Sequence, residues 1–337
     1  MKTIHSVELV NEQLHIMDQT KLPLAEEIII TDDLERIALA IEQLEVRGAP
    51  AIGVTAAYAM ALSIKNIPSE SQSEIFYKSF HRLASTRPTA VNLFFALNEM
   101  KIVFDRFHNE HDLYDRLIKK AISIHNDDKT LCTSIAENGI KIFKRKSRIL
   151  THCNTGALAT GGDGTALNVI RNAYENGLVE YVYVDETRPL LQGSRLTAWE
   201  LHEYGIPFSI NTDSTAAVLM QQGKVDLVIV GADRIAINGD AANKIGTYNL
   251  AVLCHYHKVP FYIAAPTTTI DKNCLSGAAI KIELRDKKEL ILFNGQRITS
   301  DLFPAYCPAF DVTPHHLISG IITEREFHKP PFDFSNV

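Results

Sequence analysis

The spacing of apolar positions changes near residue 146, and the change divides the chain in two. Before it the pattern is helical. From Asp32 to Val46, the residues Leu34, Ile37, Ala38, Ile41 and Leu44 share one stripe behind an aspartate suited to capping a first turn. Similar stripes run through Pro50–Lys65, Glu74–Ala84, Ala90–Asn109 and Leu113–Gly139. Ser6–Val10 and Gln13–Met17 read instead as a short hairpin. After Lys146, short apolar runs at Arg148–His152, Val179–Asp185, Phe208–Thr212, Val225–Val230, Phe261–Ala265 and Ile280–Leu284 predict strands. Between them, Thr165–Asn176, Ser194–Tyr204, Ser214–Gln222 and Asn243–His257 are long enough for crossover helices.

Strands alternating with helices predict a parallel sheet covered on both faces. The expected class is α/β, a Rossmann-like parallel-sheet domain with a smaller, mainly helical N-terminal domain. Residues 1–125 form the helical domain with its short β element. Residues 126–337 form the Rossmann-like catalytic domain, including the linking helix. The tail from Lys329 to Val337 looks loose.

Composition narrows the function. A chain of 337 residues fits about two domains. A net charge of -6 argues against nucleic acid as a principal partner. The longest apolar segment, Ala49 to Ile64, is short for a bilayer and is broken by Pro50 and Gly53, so no membrane association is expected. The start of the chain lacks the apolar core of a signal peptide. Five cysteines without a CxxC pair fit a reducing cytoplasm.

Two strand ends carry the candidate chemistry. The first strand stops at Cys153-Asn154-Thr155-Gly156, and the run Val225–Val230 stops at Gly231-Ala232-Asp233-Arg234. In a parallel sheet both side chains project from the carboxyl edge, where open α/β sheets bind ligands. A thiol and a carboxylate facing one site can serve as a proton-transfer pair. A buried inert cysteine and an aspartate paired with Arg234 are the plainer alternatives.

The loop Gly156–Thr165 is glycine-rich and runs into a helix, but it matches neither the dinucleotide fingerprint nor a P-loop. Arg47-Gly48-Ala49-Pro50 and Thr86-Arg87-Pro88 place two arginines at proline-marked turns. There they serve either as surface residues or as an anion clamp. Gln192 follows a polar strand end, Asp185–Pro189. Asn243 and Lys244, read as a helix start, suit hydroxyls and a phosphate. Neither His255 with His257 nor His315 with His316 has a third ligand that would make a metal site.

Taken together, Arg47–Gly53, Thr86–Asn92, Thr151–Thr160, Glu186–Arg195, Gly231–Ile235, Gly239–Tyr248, Ala265-Pro266, Pro308–Pro314 and Ile321–Glu324 closely resemble the methylthioribose-1-phosphate isomerase family. The resemblance spans nearly the whole chain. It implies an aldose-ketose isomerase of methionine salvage, acting on a phosphorylated pentose and needing neither metal nor nucleotide cofactor. It also implies a homodimer. Carried over by motif, Cys153 and Asp233 are the catalytic pair. Arg47, Gly48, Ala49, Arg87, Gln192, Asn243 and Lys244 bind the substrate. Asp233 is expected protonated in an apolar cleft.

The chain departs from the family at Asp163, where an aromatic residue is usual. A carboxylate is a poor neighbour for a thiomethyl group, which brings 5-deoxyribose 1-phosphate forward as a second candidate substrate. Two other functions share the fold: a non-catalytic regulatory subunit of a translation-initiation exchange factor, and a ribose 1,5-bisphosphate isomerase. The thiol–carboxylate pair argues against the first, and Asp163 against the second phosphate of the other.

Overall fold

The computed structural model describes residues 3–88, 90–293 and 295–337. Thr89, inside one arginine motif, lies outside the described residues. The chain folds as two compact units. One runs up to Thr133 and takes back Thr155–Gly164; the other holds Ser134–Asn154 and Thr165–Val337. The division falls within one helix, Leu113–Gly139.

In the helical unit, β1 (Val7–Val10) and β2 (Gln13–Met17) form the expected hairpin. A third strand, β3 (Ile28–Thr31), extends it to an antiparallel meander. Helix α1 (Leu34–Glu42) starts where the Asp33 carboxylate accepts the N–H groups of Glu35 and Arg36. Helix α2 (Ala49–Leu62) is buried from Ala51 to Leu62, as its unbroken apolar sequence requires. Helices α3 (Ser69–Thr86) and α4 (Val91–Phe107) meet through Phe76 and Phe104, whose rings stack at 3.9 Å. Helix α5 is the long Leu113–Gly139.

The second unit holds the parallel sheet. Its strands are β4 (Ser147–Thr151), β5 (Val179–Asp185), β6 (Phe208–Asn211) and β7 (Leu227–Val230). A side sheet follows, from β8 (Arg234–Ala236) and β9 (Ala241–Lys244). The main sheet resumes at β10 (Phe261–Ala264), and β11 (Ile270–Asp271) joins the side sheet. After a small hairpin, β12 (Leu292–Phe293) with β13 (Gln296–Arg297), come β14 (Phe310–Thr313), β15 (Gly320–Ile322) and β16 (Phe327–His328).

Among the described residues the main sheet runs β16-β15-β10-β7-β4-β5-β6. Apart from antiparallel β16, its six strands follow the doubly wound order, whose direction reverses between β4 and β7. All four residues of β7 are buried, as helices on both faces demand. The crossover helices include α6 (Ala166–Glu175), α7 (Ala198–Glu203), α8 (Ala216–Gln221) and α9 (Thr247–His257).

Three expectations fail here. Ile280–Leu284 is not a strand; it makes one isolated bridge, Leu284 to Pro308. Its alternating Lys281 and Glu283 would be buried inside a covered parallel sheet, and Glu283 instead pairs with Arg285 at 2.9 Å. Asn243 and Lys244 do not begin a helix. They end β9, which pairs antiparallel with β14 some sixty-five residues on, and α9 starts only after Gly246. The tail is anchored: Phe334 is 1% exposed and its N–H donates to the Ile237 carbonyl at 2.9 Å.

Candidate active site

Strands β4 and β7 flank the point where strand order reverses, and Cys153 and Asp233 follow their carboxyl ends. Ile149 and Leu150 of β4 register with Leu227 and Val228, and the Thr151 hydroxyl donates to Ile229 O at 2.8 Å. The two strand ends are therefore neighbours at the sheet's carboxyl edge.

Cys153 is buried and holds a left-handed backbone, φ 64°. Its N–H donates to Thr187 Oγ1 at 2.8 Å, and its carbonyl accepts from Thr197 Oγ1 at 2.6 Å. Thr187 and Leu191 are left-handed too, at φ 63° and 58°. Each such non-glycine residue costs on the order of 1–3 kcal/mol and persists only where neighbours enforce it. The enforcing groups are explicit. Thr187 N–H and Arg188 N–H donate to the two Asp213 oxygens at 2.8 and 2.9 Å, and Thr187 Oγ1 donates to Asp185 O.

Asp233 begins the side sheet, its N–H donating to Ala242 O at 2.9 Å. Its side chain is exposed rather than enclosed by apolar groups, which corrects the expected apolar cleft. The neighbouring Arg234 reaches a different carboxylate, Asp271 at 3.6 Å.

Gln192 is fully buried just before a five-residue π-helix, Gly193–Thr197. Neither atom of its amide finds a partner among the described residues. π-Turns often mark functional sites. Asn243 donates to Thr247 Oγ1 at 3.0 Å, and Lys244 Nζ donates to Ala309 O at 3.0 Å beneath the Phe310 ring.

In the helical unit, Arg47 is half-buried ahead of α2, and Gly48 stands at its N-cap with Ala49 opening the helix. A Cβ on Gly48 would lie 2.2 Å from Ala159 O, and its φ is 92°, so packing alone already requires glycine there. Arg87 is half-buried at the C-cap of α3. Asp163 is half-buried in the glycine-rich loop.

Sequence reasoning missed the residue beside the thiol. His152 is buried, its Nε2–H donates to Ile245 O at 2.9 Å, and its Nδ1 lies 3.0 Å from Asp185 Oδ2. Burial opposes charge on this ring, but the hydrogen bond and charge of Asp185 outweigh it and raise its pKa. His152, Asp185 and Asp213 bring ligand-type atoms within 4.8 Å, the spacing of a metal centre. Each is already engaged: Asp185 accepts from His152 and Asn211, and Asp213 from two backbone N–H groups. The cluster is a hydrogen-bond network. The only advance signal was a polar pair, His152 and Asp185, at the ends of two apolar strands.

Comparison with known proteins decides the family. Residues 45–330 match the initiation factor 2 subunit family. The chain belongs to that family. A methylthioribose-1-phosphate isomerase of Caldicellulosiruptor saccharolyticus is 49% identical over 329 residues, 97% of this chain and 96% of that one. The structure of 5-methylthioribose 1-phosphate isomerase from Pyrococcus horikoshii OT3 matches with TM-score 0.94 and 41% identity, covering 98% and 94%. The translation initiation factor eIF-2B, subunit delta, from A. fulgidus matches with TM-score 0.89 and 39% identity, covering 98% and 97%. The chain falls among the family's methylthioribose-1-phosphate isomerases, and it is an isomerase enzyme. Among the described residues no helix is long and apolar enough to cross a membrane.

Proposed function

We propose that the chain converts 5-methylthioribose 1-phosphate to 5-methylthioribulose 1-phosphate, an aldose–ketose step of methionine salvage, as a cytoplasmic homodimer. The observation that carries this reading is the enforced left-handed turn at Cys153, at the end of the strand beside the one that leads to Asp233. Strain maintained at one thiol by three side chains is expected where that thiol must be aimed.

Phosphate on the anomeric oxygen blocks the simple ring opening of a free sugar. Asp233, as the acid, protonates the ring oxygen, and the bond from that oxygen to C1 breaks. Cys153, as thiolate, removes the proton from C2, and the electron pair forms the C1=C2 bond of an enol. The thiol then returns its proton to C1 while the C2 hydroxyl gives its proton to the Asp233 carboxylate, leaving the ketone.

Gln192 supports the same reading, because a fully buried amide with no partner among the described residues costs about 1–3 kcal/mol per lost group unless a ligand pairs with it. Asn243, Lys244, Arg47, Gly48, Ala49 and Arg87 complete the proposed binding set.

Cys153→Ser should lower kcat at least about a hundredfold while KM changes little, since a placed base contributes that much. Asp233→Asn should do the same, and near-normal turnover in either variant sinks the pair. Lys244→Ala should mainly raise KM. Asp163 in the loop supports a second substrate, 5-deoxyribose 1-phosphate. Parallel kcat/KM measurements on the two sugars choose between them.

A further inference from the structure

A line of buried contacts leads from the thiol's turn to the strand bearing Asn243 and Lys244, and it passes through one imidazole. We propose that His152 is a positioning residue of this isomerase: its ring, fixed by Asp185, sets the turn of Cys153 against the Ile245–Gly246 turn that closes β9. The proposal rests on the isomerase reading above and names how its thiol is aimed.

Both sides of the junction are built around the ring. Ile245 O takes the Nε2–H, and Ile245 N–H donates to Ala309 O at 3.0 Å, the same carbonyl that receives Lys244 Nζ. Gly246, at φ 104°, lies against the imidazole so closely that a Cβ would come within 2.9 Å of it. From the far side, Asp311 accepts the N–H groups of Gly246 and Tyr248 at 2.7 and 3.0 Å, closing the turn onto the ring. Asp185 acts twice: its carboxylate holds the ring and its carbonyl accepts from Thr187 Oγ1, which receives the Cys153 N–H. Asn211 Nδ2 orients that carboxylate at 2.6 Å.

The ring's state follows from its partners. A carbonyl only accepts, so Nε2 carries a proton, and a carboxylate on Nδ1 favours a second. The resulting imidazolium–carboxylate pair is nearly neutral as a unit. A buried ion pair adds little stability over apolar side chains of the same size, so what it supplies is direction.

The test uses the purified full chain. His152→Phe keeps a ring and removes both hydrogen bonds. It should lower kcat about a hundredfold, as a misplacement near 1 Å does, and should also raise KM, because the Asn243–Lys244 strand shifts with it. Asp185→Asn retains both bonds around a neutral ring, with Nδ2 donating to Nδ1 and Oδ1 accepting from Asn211. It should lose less than about tenfold, since geometry survives where charge does not. A folded His152→Phe with wild-type kcat and KM overturns the proposal, as does an Asp185→Asn equally damaging to both. Should His152→Phe fail to fold, Gly246→Ala presses on the ring from its other side, and wild-type kinetics there overturn it too.

One readout needs no turnover. The ¹⁵N shifts of His152 at pH 7 should show both nitrogens protonated in the wild type and Nδ1 unprotonated in Asp185→Asn. A neutral wild-type ring sinks the assignment. An inactive wild-type enzyme would instead defeat the isomerase reading, while the protonation state of His152 read by NMR would stand.

Discussion

Each unit buries a histidine that gives its Nε2–H to a backbone carbonyl, yet their basicities shift in opposite directions. In the sheet unit, His152 faces the Asp185 carboxylate and its pKa is raised. In the helical unit, His125 donates to Gly161 O at 2.8 Å, and the Tyr58 hydroxyl donates to its Nδ1 at 2.9 Å. A hydroxyl can supply the proton, so the ring stays neutral. Burial, with the charge of Lys129 nearby, pushes it down to about 4. Two buried rings with the same Nε2 contact thus move in opposite directions, one held more basic by a carboxylate and the other made less basic. Burial lowers both, and a carboxylate partner reverses it at His152.

The two rings also restrain different backbones. His152 joins a strand end to a turn. His125 and Asp128, on α5, hold the glycine-rich loop from both sides: His125 takes the Gly161 carbonyl, and Asp128 Oδ2 accepts the Gly161 N–H at 2.6 Å. Burial pushes Asp128 up to about 6, against the pull of the Gly161 and Gly162 N–H groups.

The comparison can be broken most severely at its charged end. Asp185→Ala leaves a buried imidazolium without its carboxylate and should cost roughly 3–5 kcal/mol in chemical denaturation at neutral pH. A loss below about 1 kcal/mol would mean the ring is neutral after all.

The second break is a matter of pH. Asp128 has a folded pKa above its ordinary value of 3.8, so the stability it lends is full below that value and fades as pH rises through about 6. His125 has a folded pKa below its ordinary 6.5, so its contribution is full above 6.5 and fades as pH falls toward about 4. Between about 4 and 6 the two slopes oppose and nearly cancel. Asp128→Asn removes one of them. Relative to the wild type, its stability should climb with pH across that window, by about 1.4 kcal/mol per unit. Denaturation midpoints at about pH 4.5 and about pH 6 compare the two; matching slopes would refute the assignment.

The smallest break is Tyr58→Phe, which takes the donor from a ring that stays neutral. The expected cost is about 1–2 kcal/mol, well short of Asp185→Ala. If the two losses were equal, the contrast between the rings would be lost.

Much of this was legible in the chain. The switch from helical to strand spacing near residue 146 marks where the sheet begins, because each period is set by backbone geometry alone. Cys153 and Asp233 were legible as strand ends, since an apolar run that stops at a polar residue in a covered sheet must stop at its edge. Asn243 and Lys244 were misread as a helix start because their strand partner, Phe310–Thr313, lies far along the chain. Phe332 and Phe334 lie in a tail that reads as loose for a similar reason: their anchoring surface, near Ile237 and Gly239, is far back along the chain.

The sequence by itself settled the α/β class and the change from helices to strands alternating with helices near residue 146, because both follow from local spacing. Tertiary structure alone decided that β4 and β7 lie side by side, that Cys153 turns left-handed, and that His152 meets a carboxylate while His125 meets a phenol. Those outcomes depend on which distant groups share a water-poor interior, where a single neighbour is enough to fix a proton or a backbone angle.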